Sequence, residues 1–232
     1  MPARLDALGF GAGDAADIDA VVRVVLAETE AVERPDAGLT HVCGTSSRAA
    51  LVVHQDLSGA VACVTPFLSA QTRTTVRVVA TVPDHECPHC SVLLVDVWGP
   101  GGAVRVPMTT PHFLLWADAL VVGATIEVGL GAVAESVAHV DAATPPSVVP
   151  DLATTAVGVK VPAPMVELCG TVTSHLLRHN ELTGGAFEWA SVDCGGLIFE
   201  VCAAPGDLRR PFKTGDTIAG RFHISGPIWS VV

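Results

Sequence analysis

Residues 122–130 read V-G-A-T-I-E-V-G-L, and residues 214–222 read T-G-D-T-I-A-G-R-F. Gly123 lies over Gly215, Thr125 over Thr217 and Ile126 over Ile218, all at one spacing. A glycine ahead of an alternating apolar run marks a turn that feeds a strand. The glycine pairs Gly101-Gly102 and Gly195-Gly196 stand apart by nearly the same spacing. Two anchors in the same order predict an internal duplication.

Working outward, the same succession fills both halves. In the first, TTVRVVATV reads as a strand and is followed by a loop. SVLLVDVWG is a second strand, Pro100-Gly101-Gly102 a turn, and AVRVPM a third strand. The irregular stretch TTPHFLLWADALV then leads to the strand GATIEVGLGAV. In the second half VELCGTVTSHLL, the loop RHNELTGG, FEWASVD, the turn at Gly195-Gly196, LIFEVCAA, the irregular PGDLRRPFK and TGDTIAGRFHISG repeat that order. Val-rich runs punctuated by Gly and Pro suit short pleated strands.

Strand, loop, strand, tight turn, strand, short irregular segment, strand resembles the small five-stranded Greek-key barrel called the OB-fold. PHFLLWADAL fits the slot that holds a short helix or loop between the third and fourth strands of such barrels. The resemblance rests on element order and covers both halves. The expected fold class is therefore mainly β, with two small OB-like Greek-key barrels in tandem and an N-terminal helix and β-hairpin. The expected divisions are an N-terminal helical segment (1–36), a β-hairpin extension (37–72), barrel 1 (73–137), a Pro-rich linker (138–164) and barrel 2 (165–232). The resemblance also implies a ligand site: the face of strands two and three, with the loop between strands one and two.

The segment DAADIDAVVRVVLAETEAVE (14–33) predicts one helix. Ile18, Val21, Val22, Val25 and Leu26 recur at helical spacing, and Pro35 ends the pattern. That stripe must bury against the rest of the chain or against a second copy, so a homodimer through it is one expectation. Residues 40–68 change period and predict one or two hairpins around Asp56-Leu57-Ser58-Gly59.

Composition narrows the functional classes. The 232 residues are 50% hydrophobic and 16% charged, which excludes disorder for the chain as a whole. A net charge of −11 repels phosphate backbones and disfavours nucleic acid as a general partner. No stretch reaches the roughly 18 apolar residues of a membrane helix. The N-terminus does not read as an export signal, and seven cysteines without one suggest reduced thiols in a cytoplasmic protein.

The densest chemistry lies in D-H-E-C-P-H-C-S (84–91), the loop between strands one and two of the first half. C-x-x-C lets one turn supply two thiolates to zinc. Cys87 and Cys90, with His85 and His89, form the candidate metal set, and His54, His112, Cys43 and Cys63 are remote ligands that would complete it. Cys-Pro-His-Cys also resembles the active-site tetrapeptide of strongly oxidising thioredoxin-like enzymes. Those need a helix after the motif to stabilise the thiolate, and a strand follows here, so no catalytic role is carried across. The corresponding loop of the second half holds His175, His179 and Asn180. Trp98 and Trp189 fall on the second strands of the two halves; facing outward, they would form stacking platforms. No nucleophile elbow, phosphate loop or dinucleotide fingerprint is present. The leading reading is a non-catalytic binding or assembly module without a cofactor, which recognises a protein partner or small ligand through these loops. A zinc-binding or thiol-dependent enzyme is the alternative.

Overall fold

A computed structural model describes residues 2–11, 15–34, 36–83, 90–154 and 160–232. Strand accounts for 58% and helix for 10%, so the chain is mainly β. An N-terminal layer comes first. Helices α1 (Pro2–Ala7) and α2 (Ala15–Glu28) precede strands β1 (Ala31–Arg34), β2 (Gly38–Gly44), β3 (Ala49–Gln55) and β4 (Val61–Leu68). These strands make an antiparallel sheet in the order β1-β2-β3-β4.

The helix is shorter than its apolar period suggested. Thr29 donates both its amide and its hydroxyl to the Val25 carbonyl, at 3.1 and 2.6 Å. A hydroxyl that competes for a helix carbonyl favours a terminus over a further turn. Residues 31–34 turn into β1 instead and pair with residues 38–41.

The remaining strands are β5 (Arg73–Pro83), β6 (Ser91–Gly99), β7 (Gly102–Thr110), β8 (Thr125–Gly129), β9 (Gly131–Val140), β10 (Ser147–Thr154), β11 (Lys160–His179), β12 (Ala186–Asp193), β13 (Ile198–Ala203), β14 (Thr217–Ser225) and β15 (Ile228–Val231). Between β7 and β8 a single 3₁₀ turn, Phe113–Leu115, occupies the irregular stretch. Among its described residues, the proline-rich segment after β9 holds β10 and the start of β11. Pro150 is tolerated because β10 is an edge strand whose register breaks between Pro150 and Leu152.

There are two rings: pairings close ring two, and ring one is completed where Ser225 meets β7 and the chain runs on into β15. In the second, β11 pairs with β12, β12 with β13, β13 with β9, β9 with β14, and β14 with β11. The β13–β9 contact is parallel and the others are antiparallel. In the first, β5 pairs with β6 and β8, β6 with β7, and β8 with β15, while Ser225 runs parallel to Thr109 of β7. Each ring is thus completed by chain from the other half. β9 follows β8 in sequence yet completes ring two, and the segment from Ser225 to β15 follows β14 yet completes ring one.

The two crossing chains meet at glycines. A Cβ on Gly226 would stand 1.7 Å from the Gly129 carbonyl oxygen, and one on Gly131 would stand 2.8 Å from that of Ser225. No larger residue fits between backbones this close. The halves also repeat one local pattern. Gly123 N donates to Val78 O, and Val78 N to Ala124 O; Gly215 N donates to Val172 O, and Val172 N to Asp216 O. Both strands bulge just after that valine. Gly123 and Gly215 hold φ of 91° and 89°, a left-handed conformation that glycine adopts without strain.

One apolar core fills both rings, with Val95, Val106, Met108 and Ile126 from the first half and Phe199, Phe212, Phe222 and Ile224 from the second. A separate cluster glues the N-terminal layer onto the outside of ring two. Val21, Val22 and Val25 of α2, with Leu8, Phe10, Leu51 and Leu68, pack on Val133, Phe187, Trp189 and Cys202. The helix stripe is therefore buried within its own chain.

Candidate functional site

The outward faces of the two rings differ. On β12 the outward residues Phe187 and Trp189 are roofed by the N-terminal layer. Asn180, in the loop after β11, is fully buried: its side-chain amide donates to Leu8 O at 2.9 Å and its side-chain oxygen accepts from Leu182 N. Gly9 and Gly185 approach so closely that a Cβ on either would meet the other's carbonyl oxygen. The chain's own first residues therefore plug the loop. His175 and His179 stay exposed, with His179 Nδ1 3.4 Å from the Gly184 carbonyl.

On ring one the outward face is open around Trp98. Trp98, near the tip of β6, is 51% exposed, against 6% for Trp189. The two tryptophans sit on corresponding strands but at opposite ends. Val78 pairs with Val95 and Val172 with Val192, and Trp98 lies beyond the first pair whereas Trp189 lies before the second. Beside Trp98 opens a groove of about 520 Å³, lined by Arg73, Thr74, Thr75, Trp98, Leu130 and Leu197 among others. Leu197 comes from the turn between β12 and β13, so both halves build the groove.

Strand alternation sets the rest of this face. Arg73, Thr75 and Arg77 project outward from β5, while Val76 and Val78 project into the core. The Arg77 guanidinium lies 5.5 Å from the Trp98 ring centre, and that of Arg73 lies 5.3 Å from the Trp229 ring on β15. Register places Asp96 between Arg77 and Arg105. Its carboxylate accepts from Arg105 Nε at 2.9 Å and from Arg77 Nη2 at 3.3 Å. The Arg105 hydrogen bond, helped by Arg77 against the opposing effect of burial, holds the Asp96 carboxyl below the usual carboxylate range. Asp96 in turn fixes two guanidiniums that remain more than half exposed. The sequence signal for this face was the alternation of Arg73, Thr75 and Arg77; Arg105, Asp96 and Trp229 carried none until register was known.

Where ring two meets the N-terminal layer, a buried ionic knot forms. Glu200 accepts from Arg48 Nη1, from Trp189 Nε1 at 3.1 Å, and from the amides of Gln71 and Thr72 at 2.7 and 2.8 Å. Burial pushes its pKa up, and those amides with Arg48 outweigh burial, so the net shift is downward. Arg48 takes φ 75°, the one positive φ of a non-glycine among the described residues. Arg48 and Arg178 both lie against the Trp189 ring, at 4.8 and 4.9 Å. Every strong acceptor position here is filled from within the chain, which makes the knot a clamp between layers and leaves Trp189 no open face.

His85, Cys87 and His89 lie outside the described residues. Cys90 lies within them and is buried at the junction of ring one with the N-terminal sheet. His54 Nε2 stands 3.0 Å from the Pro111 carbonyl, which can only accept, so that nitrogen carries the proton. Thr40 then donates to Nδ1 at 3.0 Å. Cys90 Sγ lies 4.0 Å from that protonated nitrogen and so faces a donor rather than a base. His112 joins the same junction, with Nε2 accepting from Ile228 N at 3.1 Å. Among the described residues no group of three or more His, Cys, Asp or Glu is arranged to hold a metal ion. Cys63 is disulfide-bonded, contrary to the expectation of thiols throughout, and Cys43, Cys169, Cys194 and Cys202 carry thiols outside any disulfide. Burial pushes the Cys43 and Cys169 thiols up, and that of Cys194 up to about 12. A thiol raised in this way is protonated and unreactive at neutral pH.

No family model matches this sequence, and a search of curated proteins finds no match to it.

Proposed function

We propose that the protein is a non-catalytic binding or assembly module of two OB-like barrels in tandem, which recognises its partner on the outer face of ring one. One observation carries the reading. The chain's own N-terminal layer covers the outer face of ring two around Trp189, while on ring one the outer face at the other end of the second strand stays open, with Trp98 exposed beside a groove. Recognition sites are concave and join an aromatic surface to a few placed polar groups, and Trp98, Thr75 and Arg73 supply that combination. The OB-like assignment is supported by the five-stranded rings with one parallel closing pair and by the repeated bonds at Gly123 and Gly215. The cytoplasmic location proposed with it is supported by the unoxidised thiols of Cys43, Cys169, Cys194 and Cys202; the disulfide at Cys63 pulls the other way.

The test is fluorine NMR on protein labelled with 5-fluorotryptophan, with the Trp98 resonance identified from Trp98→Phe. Peptides, neutral oligosaccharides and nucleoside phosphates are titrated in turn. A saturable shift of the Trp98 line without chemical change in the added compound supports a binding module. Turnover of a compound that is lost in Cys90→Ser would establish the thiol-dependent enzyme instead.

A further inference from the structure

We infer that the occupant of the ring-one face is an acidic polypeptide segment of a partner protein, an inference that rests on the binding role proposed above. Three observations converge on it. The first is charge. In a chain of net charge −11, Arg73, Arg77 and Arg105 share one face with side chains 61%, 53% and 53% exposed. Their acidic partners are recessed: Asp96 is 8% exposed and Glu127 31%. Solvent therefore meets guanidinium, and the complement of this face is carboxylate.

The second is preorganisation. Asp96 pins Arg77 and Arg105 through hydrogen bonds of 3.3 and 2.9 Å, and the Trp98 and Trp229 rings support Arg77 and Arg73. Planar guanidiniums held in place lose little freedom on meeting a carboxylate, which they can grip with two parallel hydrogen bonds. The third is the molecule's own precedent. On ring two polypeptide covers the outer face around the tryptophan, and there an arginine of the ring's own first strand also lies against the aromatic ring: Arg178 of β11 on Trp189, with Leu8 and Phe10 of the covering chain filling the apolar positions. On ring one the groove beside Trp98, with Leu130 and Leu197 in its wall, offers the corresponding place for one apolar side chain of the incoming segment. Nucleic acid also carries negative charge, but it would meet the field of the whole acidic chain at long range, whereas a short peptide is drawn by the local face within a Debye length of about 8–10 Å.

The experiment measures fluorescence anisotropy of a labelled peptide of Glu and Asp residues with one central Trp. Comparators are a Lys-rich peptide of equal length, oligo-dT and a neutral oligosaccharide. Expected is saturable binding of the acidic peptide that falls as salt is raised and weakens about tenfold in Trp98→Ala and about tenfold in Arg73→Glu. Both variants alter exposed side chains and should melt with the parent protein, which separates lost contact from lost fold. If oligo-dT or the oligosaccharide binds at Trp98 and the acidic peptide does not, the acidic-partner inference is overturned and the binding role stands. If acidic-peptide binding is indifferent to both variants, this face is not its site. If no probe binds, both readings fall.

Discussion

His112 shows how one side chain ties the exchanged C-terminus to its host ring. Its Nε2 accepts from Ile228 N, at the start of β15, so the fold uses the neutral imidazole. Burial, and the nearby His54, lower its pKa from 6.5 to about 4. The unfolded chain therefore binds more protons between those values, and stability rises with pH across that window. Stability from His112 should be complete well above pH 6.5 and lost as pH falls toward 4, with an upper bound of ~3–4 kcal/mol at 1.36 kcal/mol per pKa unit. Urea unfolding at pH 5 and pH 7 should give a smaller difference for His112→Gln, which retains an acceptor without the titration. An equal difference in both proteins would place the acid sensitivity elsewhere. Glu200 is the second decisive residue. Removing it in Glu200→Ala strands Arg48, the Trp189 N–H and two amides, and should destabilise by about 3–5 kcal/mol in denaturant melts. Its role was illegible in the sequence, since Arg48 and Glu200 lie far apart in the chain and only folding brings them together. The two tryptophans taught the same point. Both lie on second strands and both point outward, yet they sit at opposite strand ends, and the end that holds Trp189 is roofed by chain whose docking no local pattern announces.

At the scale of the element, alternation and glycine punctuation made most strands readable, along with the helix and the short connector after β7. Two boundaries were missed for identifiable reasons. The helical period of residues 14–33 continues past the true end because Thr29 competes for the Val25 carbonyl and Val32 is at home in a strand. The Pro-rich segment reads as a linker because prolines depress strand propensity, but an edge position needs no second set of amide donors. Gly226 makes the sharpest prediction about an element. Its missing side chain lets β14 continue into β15 past the Gly129 carbonyl, so Gly226→Ala forces backbones apart and should cost several kcal/mol or prevent folding. Gly101→Ala is the matched control: nothing lies within 4 Å of its new methyl group, and its melting temperature should stay close to that of the parent. Equal melting temperatures for the two variants would remove the crossover from the account.

For the whole molecule, the reciprocal loan of β9 and of the segment ending in β15 is the central claim. It was beyond the reach of the sequence, because a repeat read along the chain assigns each fifth strand to its own half. The parallel contacts β13–β9 and β7–Ser225 join residues far apart in sequence, which no local period reports. The exchange also explains why the groove beside Trp98 is walled by Leu130 from one half and Leu197 from the other. Residues 141–146 connect β9 to β10 as an exposed turn, apart from the strands that exchange. A protease site inserted there allows the most direct test, native mass measurement after complete cleavage. The exchange predicts one particle with the mass of the intact chain, which divides into two fragments only in denaturant. Fragments that separate under native conditions would contradict it.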